Sequence, residues 1–244
     1  MLPDAAVVLS DAHIGFGSSD AESALHRFLR CVPEFARHLV INGDLFEFWF
    51  EYRSVIPRRA FPTLEALAGL RRSGVRLTVT GGNHDRWGGD FWRRELEADF
   101  HAQEAEVTLA GMRAWIRHGD GMGDDGLGGR LFHAAVRHPI TSWVFRMLHP
   151  DMGIAVVRRL SPHLAGKAKD DTTRERSTDR QAEFARGLLA RRADLQLVVL
   201  GHTHAARIAQ FQGRRWFVNP GAWVVGRCYA LITPDGPSLH SWKD

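Results

Sequence analysis

The sequence predicts a layered α/β (α+β) protein with a helical cap inserted late in the chain. Three observations predict it. Short apolar runs alternate with stretches of helical apolar spacing; five of those runs end in Asp, Asn or His, four of them with an adjoining Gly; and the alternation breaks between residues 121 and 180.

Taken in order, residues 5–10 (AAVVLS) read as a buried strand ending at Asp11, and residues 21–32 carry helical spacing. A second strand at 39–42 ends at Gly43–Asp44. Residues 61–72 read as a helix stopped by Ser73 and Gly74. Strands at 75–80, 112–117 and 195–200 end at Gly81–Gly82–Asn83, at His118–Gly119–Asp120 and at Gly201–His202. Further strands are expected at 216–219 and 228–233. Residues 121–180 open on GMGDDGLGG, continue as a mostly helical run and close on a polar stretch. The expected organisation is therefore a core from residues 1–120 and 181–244, with residues 121–180 as the cap.

Composition narrows the function classes. With 244 residues, 44% hydrophobic and 25% charged, the chain is neither disordered nor of low complexity, and it is long enough for one large domain with an insertion. No apolar run reaches the length of about 18 residues that a membrane helix requires. The N-terminal residues lack a basic region followed by a cleavage site, so no signal peptide is expected. Cys31 and Cys228 alone cannot build a disulfide framework or a four-thiolate zinc site, which suits a reduced, cytoplasmic protein. The net charge is +4, and three lysines leave 29 arginines, whose planar fork suits phosphate. These cations are dispersed rather than gathered with stacking aromatics, which argues against a nucleic-acid partner.

In layered α/β folds, loops beyond the carboxyl ends of strands carry the site. The groups DAH, GD, GNHD, HGD and GHTH should then share one rim. Asp11, His13, Asp44, Asn83, His118, His202 and His204 offer oxygen and nitrogen without sulfur, a donor set for Mn²⁺, Fe²⁺ or Zn²⁺. Asp11 and His13 are two residues apart, so on an extended segment both face one side, and His202 and His204 repeat that spacing. Two metals about 3.5–4 Å apart need a bridging carboxylate, a position Asp44 suits. His84 would then lie beside a bound phosphoryl group and protonate the leaving oxygen, with Asp85 holding its tautomer. His101 and His240, outside these motifs, read as ordinary polar residues.

The ordered set Asp11–His13, Gly43–Asp44, Gly81–Asp85, His118–Asp120 and Gly201–His204 resembles that of the calcineurin-like metallophosphoesterase superfamily. The resemblance implies a four-layer metallophosphoesterase β-sandwich flanked by helices. It implies one metal on Asp11, His13, Asp44 and His204 and a second on Asp44, Asn83, His118 and His202. Within the superfamily the chain is similar to the UDP-2,3-diacylglucosamine pyrophosphatases of lipid A synthesis. That similarity rests on Gly43–Glu47 with Trp49, on the Asp124–Asp125 pair, on the helical insertion before GHTH, and on Gly221–Ala222–Trp223. It implies Mn²⁺-dependent cleavage of an acylated nucleotide sugar to UMP and a lipid 1-phosphate at the inner membrane face. One departure is His84, where that family carries Arg (GNRD). The alternative it favours is a metallophosphodiesterase or phosphatase acting on a soluble nucleotide or another phosphoester. A scaffold that has lost catalysis is disfavoured, because every expected ligand is present.

The cap adds its own signal. Large apolar residues such as Ile140, Trp143, Phe145 and Met147 interleave with arginines, and Lys167 and Lys169 follow. An apolar groove rimmed by cations suits an amphiphile with phosphate groups and peripheral membrane contact. Trp49, Arg86, Asp124, Asp125, Lys167 and Lys169 are the expected substrate contacts. The oligomeric state stays open.

Overall fold

The computed structural model describes residues 4–15, 19–52, 54–122, 138–164 and 171–244. Four strands, β1 (Ala6–Leu9), β2 (His38–Asn42), β3 (Arg76–Thr80) and β4 (Asp99–His101), lie parallel. The strand β10 (Cys228–Thr233) pairs antiparallel with β1, and β11 (Gly236–Ser241) antiparallel with β10, giving the order β11-β10-β1-β2-β3-β4. A second sheet has the order β5-β6-β7-β9-β8, from β5 (Glu104–Leu109), β6 (Met112–Arg117), β7 (Leu197–Val199), β8 (Arg207–Phe211) and β9 (Arg215–Asn219). Its three central strands, β6, β7 and β9, are parallel.

Three apolar clusters divide the molecule into four layers. Between the sheets, Ala6, Val8, Val40 and Ile232 meet Leu109, Ile116, Leu197, Val199 and Val218. Val7, Leu9, Leu39, Ile41 and Val79, pointing the other way, pack under α1 (Ser19–Phe35), α2 (Phe61–Arg72) and α3 (Phe91–Leu96). The outer face of the second sheet, with Trp115, Val198 and Phe217, packs under α6 (Asp171–Arg191). The central strands read as unbroken apolar runs because both their faces are covered. Helix α1 buries Ala21, Ala24, Leu25, Phe28, Leu29 and Val32, one stripe at helical spacing. The four-layer sandwich is the predicted architecture.

Five of the expected strands, β2, β3, β6, β9 and β10, match the sequence reading at one or both ends, and β4, β5, β8, β11 and α3 add to it. Of the insertion, α4 (Pro139–Arg146) and α5 (Pro150–Leu164) are described. Helix α6 runs through residue 180, the expected cap boundary, and from Ser177 onward its inward side chains are buried against the core. Phe145 of α4 sits among Phe50, Phe48 and Trp87, at ring distances of 4.7, 5.6 and 5.4 Å. Among the described cap residues several large apolar side chains are open: Ile140 and Trp143 are each 62% exposed and Met147 is 72% exposed.

Candidate metal centre

The loops after β1, β2, β3, β6 and β7 meet at the carboxyl ends of these inner strands of the two packed sheets. They bring together three groups of side chains, each with ligand atoms within 4.8 Å of one another: Asp11, His13 and His204; His13, Asp44 and His84; and Asp44, His118 and His202. Asp44 belongs to two groups, with its Oδ2 3.1 Å from His118 Nε2 and 3.9 Å from His13 Nε2. Asp11 Oδ1 lies 3.2 Å from His204 Nε2. Asn83 sits between Gly82, which packs against Asp44, and His84, whose backbone N–H donates to Asp44 Oδ1 at 3.0 Å.

The two-residue spacing works by a different route from the one expected. Asp11, His13, Asp44, His202 and His204 all have positive φ, between 49° and 69°. They are five of the eight non-glycine residues with that geometry among the described residues. The paired side chains converge through left-handed turns and not through strand alternation. Such residues are disfavoured by about 1–2 kcal/mol each, and they persist where surrounding contacts fix them. Gly82 permits the close approach, since a Cβ there would collide with Asp44 Oδ1.

Four buried atoms of this cluster, Asp11 Oδ1, His13 Nε2, Asn83 Oδ1 and His118 Nε2, have no hydrogen-bond partner. Buried polar atoms are nearly always satisfied. Four such atoms on seven converging N and O donors suit divalent cations, so these residues fit the expected group. The rest of the cluster is held from behind. His13 Nδ1 is 2.9 Å from Glu47 Oε2, and His118 Nδ1 donates to the Asn42 carbonyl at 2.9 Å, which leaves each Nε2 as the free ligand atom. Asp11 Oδ2 accepts from His202 N at 3.1 Å and lies 2.5 Å from the Ser10 hydroxyl.

Electrostatics follow from this crowding. Burial pushes the Asp11 carboxyl up, but His118 and His204 outweigh it and hold the group below the usual carboxylate range. Asp44 is likewise held well down, by His118 first, against its own burial. Burial pulls His13 down, yet Glu47, Asp44 and Asp11 raise it to about 9, and His118 is raised well above its ordinary value by Asp44 and Asp11. His202 is lowered to about 4 by burial and by the adjacent His118.

Three expectations change. Asp85 does not set the His84 tautomer. Its carboxylate instead accepts backbone N–H groups of Leu45 (2.7 Å), Gly82 (2.8 Å) and Asp44 (3.1 Å), stitching two motif loops together. The His84 ring is fixed by the Glu47 carbonyl, which accepts from Nδ1 at 2.8 Å. Trp49 is fully buried, stacked on Phe46 at 5.2 Å, so its side chain is core and offers no surface to substrate. Arg86 is 8% exposed and donates from Nη2 to Asp120 Oδ2 at 2.5 Å, tying the loop after β3 to the loop after β6. Asp124, Asp125, Lys167 and Lys169 lie outside the described residues. Glu47, three residues after Asp44, carries no periodic signal of its own in the sequence, and its contact with His13 brings it to the site.

A four-layer sandwich with O and N ligands at converging strand ends defines a metal-dependent hydrolase. The model of the calcineurin-like phosphoesterase family matches residues 6–206, and the chain belongs to that family. Among curated proteins it is similar to a UDP-2,3-diacylglucosamine hydrolase of Porphyromonas gingivalis, 26% identical over 255 residues and covering 96% of each chain. It is also 28% identical over 240 residues to one of Salmonella arizonae, covering 96% of this chain and 98% of that one. Among solved structures, Vacuolar Protein Sorting 29 of Cryptosporidium parvum aligns with a TM-score of 0.48 at 14% identity, over 99% of this chain and 92% of that one.

Proposed function

We propose that this hydrolase cleaves the pyrophosphate of UDP-2,3-diacylglucosamine or a similar acylated nucleotide sugar, giving UMP and a lipid 1-phosphate. The observation that carries the reading is the path from the metal centre to the cap. Residues 47–52 leave the Asp44 loop beside residues 84–87, with Trp49 N donating to the His84 carbonyl at 3.1 Å and Glu51 N to the Trp87 carbonyl at 3.3 Å. Phe48 and Phe50 on this strip meet Phe145 of α4, next to the exposed Ile140, Trp143, Val144 and Met147. An anionic head at the metals and an apolar tail along the cap match that polarity. The near full-length similarity to UDP-2,3-diacylglucosamine hydrolases supports it.

In this reading Asp11, His13, Asp44 and His204 hold one divalent ion, and Asp44, Asn83, His118 and His202 the other. The ions are proposed to be Mn²⁺, with Fe²⁺ or Zn²⁺ also compatible with the donors. When bound, they supply water activation and neutralise phosphoryl charge. Glu47 orients His13, and Asn42 orients His118. His84, its Nδ1 held by the Glu47 carbonyl, is proposed to protonate the leaving phosphate oxygen. The open cap face is proposed to touch the inner membrane surface from the cytoplasm. Among the described residues no helix is long and apolar enough to cross a membrane. The second reading, a soluble phosphodiester substrate, is favoured by His84 standing where lipid A enzymes carry Arg.

A Mn²⁺-dependent assay compares UDP-2,3-diacylglucosamine, its deacylated analogue and bis(p-nitrophenyl) phosphate, with products identified by mass. Preference for the acylated nucleotide with UMP released is expected, and Asp44→Ala or His118→Ala should abolish turnover. Turnover of the simple diester alone overturns the lipid substrate, and full activity in either alanine variant overturns the mechanism.

A further inference from the structure

We infer that Thr178, Gln181 and Asn219 are positioning residues that fix His202 and His204 from behind, making metal affinity depend on helix α6. The inference rests on the metal assignment above and is independent of the substrate. His202 and His204 both adopt left-handed backbone, with φ of 69° and 62°, around the tight turn in which Thr203 N donates to the Gly201 carbonyl at 2.8 Å. Two non-glycine residues in that region, separated by a single residue, need external support.

The support is a closed set of hydrogen bonds with one consistent proton arrangement. The Thr178 hydroxyl donates to the Arg174 carbonyl at 2.9 Å. It therefore accepts from the Thr203 hydroxyl, 2.7 Å away. Thr203 Oγ1 in turn accepts from Asn219 Nδ2 at 2.9 Å. The same amide donates to Gln181 Oε1 at 3.0 Å and approaches the Gly201 carbonyl at 3.3 Å. Gln181 Nε2 donates to that carbonyl at 2.9 Å, and Asn219 Oδ1 accepts from Gly221 N at 3.0 Å, which fixes the amide's orientation. All four side chains are at most 5% exposed. Each side-chain N and O of these four residues has at least one of these partners, so removing one leaves a buried atom unpaired and loosens the turn. Thr178 and Gln181 stand on the helix that returns the chain from the insertion, so the cap's own strut braces two of the seven donors.

The test uses the full-length protein. Mn²⁺ binding is measured by calorimetry, and Co²⁺ binding by the visible absorption that reports coordination geometry. Variants are Thr178→Val, which removes the hydroxyl at nearly constant shape, Gln181→Ala, and Thr178→Ser as the conservative control. Removing partners behind metal ligands lowers affinity by about 10–100-fold. The expected result is a loss of about that size, with an altered Co²⁺ spectrum, in Thr178→Val and Gln181→Ala, and near wild-type values in Thr178→Ser. Circular dichroism and urea unfolding identify the folded variants. Folded variants that bind both ions as the wild type does overturn the inference, even if their stability falls, because a merely structural role moves stability alone. A wild-type protein that binds neither ion overturns the metal assignment itself and this inference with it.

Discussion

The buried pair Arg86–Asp120 offers the most direct test of how the site loops are held. The two side chains are 7% and 4% exposed and their charged atoms approach to 2.5 Å. Arg86→Met keeps the apolar stem and leaves the Asp120 carboxylate buried without that partner. Breaking a buried pair from one side destabilises by about 3–5 kcal/mol, whereas replacing both members by apolar groups is often neutral or favourable. Urea unfolding at pH 7 should therefore show a loss of about that size for Arg86→Met and for Asp120→Leu. The double variant should recover most of it. Acid should narrow the gap for Arg86→Met, because protonating the Asp120 carboxyl lowers the cost of burying it. The same variants decide whether Arg86 reaches substrate. A loss under about 1 kcal/mol in Arg86→Met, together with a raised KM, would refute the burial-based reasoning and return Arg86 to the substrate.

Two pH effects follow from the shifted histidines. His38 is buried against Thr78, and burial, helped by Arg76, lowers it to about 4 from its ordinary 6.5. Between those values the unfolded chain binds the proton and the folded chain does not, so stability rises with pH across the window. Acidifying metal-free protein from pH 7 to 4 should remove about 2–3 kcal/mol through this residue, with His202 acting in the same direction, and His38→Gln should flatten the urea-unfolding profile by the His38 share. An unchanged slope in that variant counts against it. At the metal centre the sign reverses: His13 and His118 are held protonated by their carboxylates, so an ion must displace protons to reach Nε2. Calorimetry in buffers of different ionisation heat should register proton release on Mn²⁺ binding and an affinity that climbs with pH up to about 9; binding without proton release contradicts the assignment.

The candidate site is legible in the sequence because its donor residues follow central strands, and central strands announce themselves as apolar runs. Leu195 to Leu200 followed by Gly-His-Thr-His is readable without a structure. Edge strands are not: Glu104–Leu109 alternates charge with apolar residues, and Gly236–Ser241 carries little that is apolar. The left-handed turns at Asp11 and His202 were illegible because nothing in DAH or GHTH distinguishes a turn from an extended segment. The burial of Trp49 was hidden inside an aromatic run in which both faces look alike. The braces, from Glu47 to Asn219, are ordinary polar residues far apart in the chain, and only tertiary packing gives them a common target.

The site also lies across the seam of the sandwich. Asp11, His13, Asp44 and Asn83 extend from strands of one sheet, and His118, His202 and His204 from strands of the other. Ions held by both sets would act as a clasp between two halves that otherwise meet through the apolar layer between the sheets and a few hydrogen bonds. The halves cannot part without surrendering the ions, so free metal at 100 times its Kd adds about 2.7 kcal/mol against opening. Metal starvation would then do more than idle the enzyme: it would leave an unlatched protein, more readily cut by proteases and cleared.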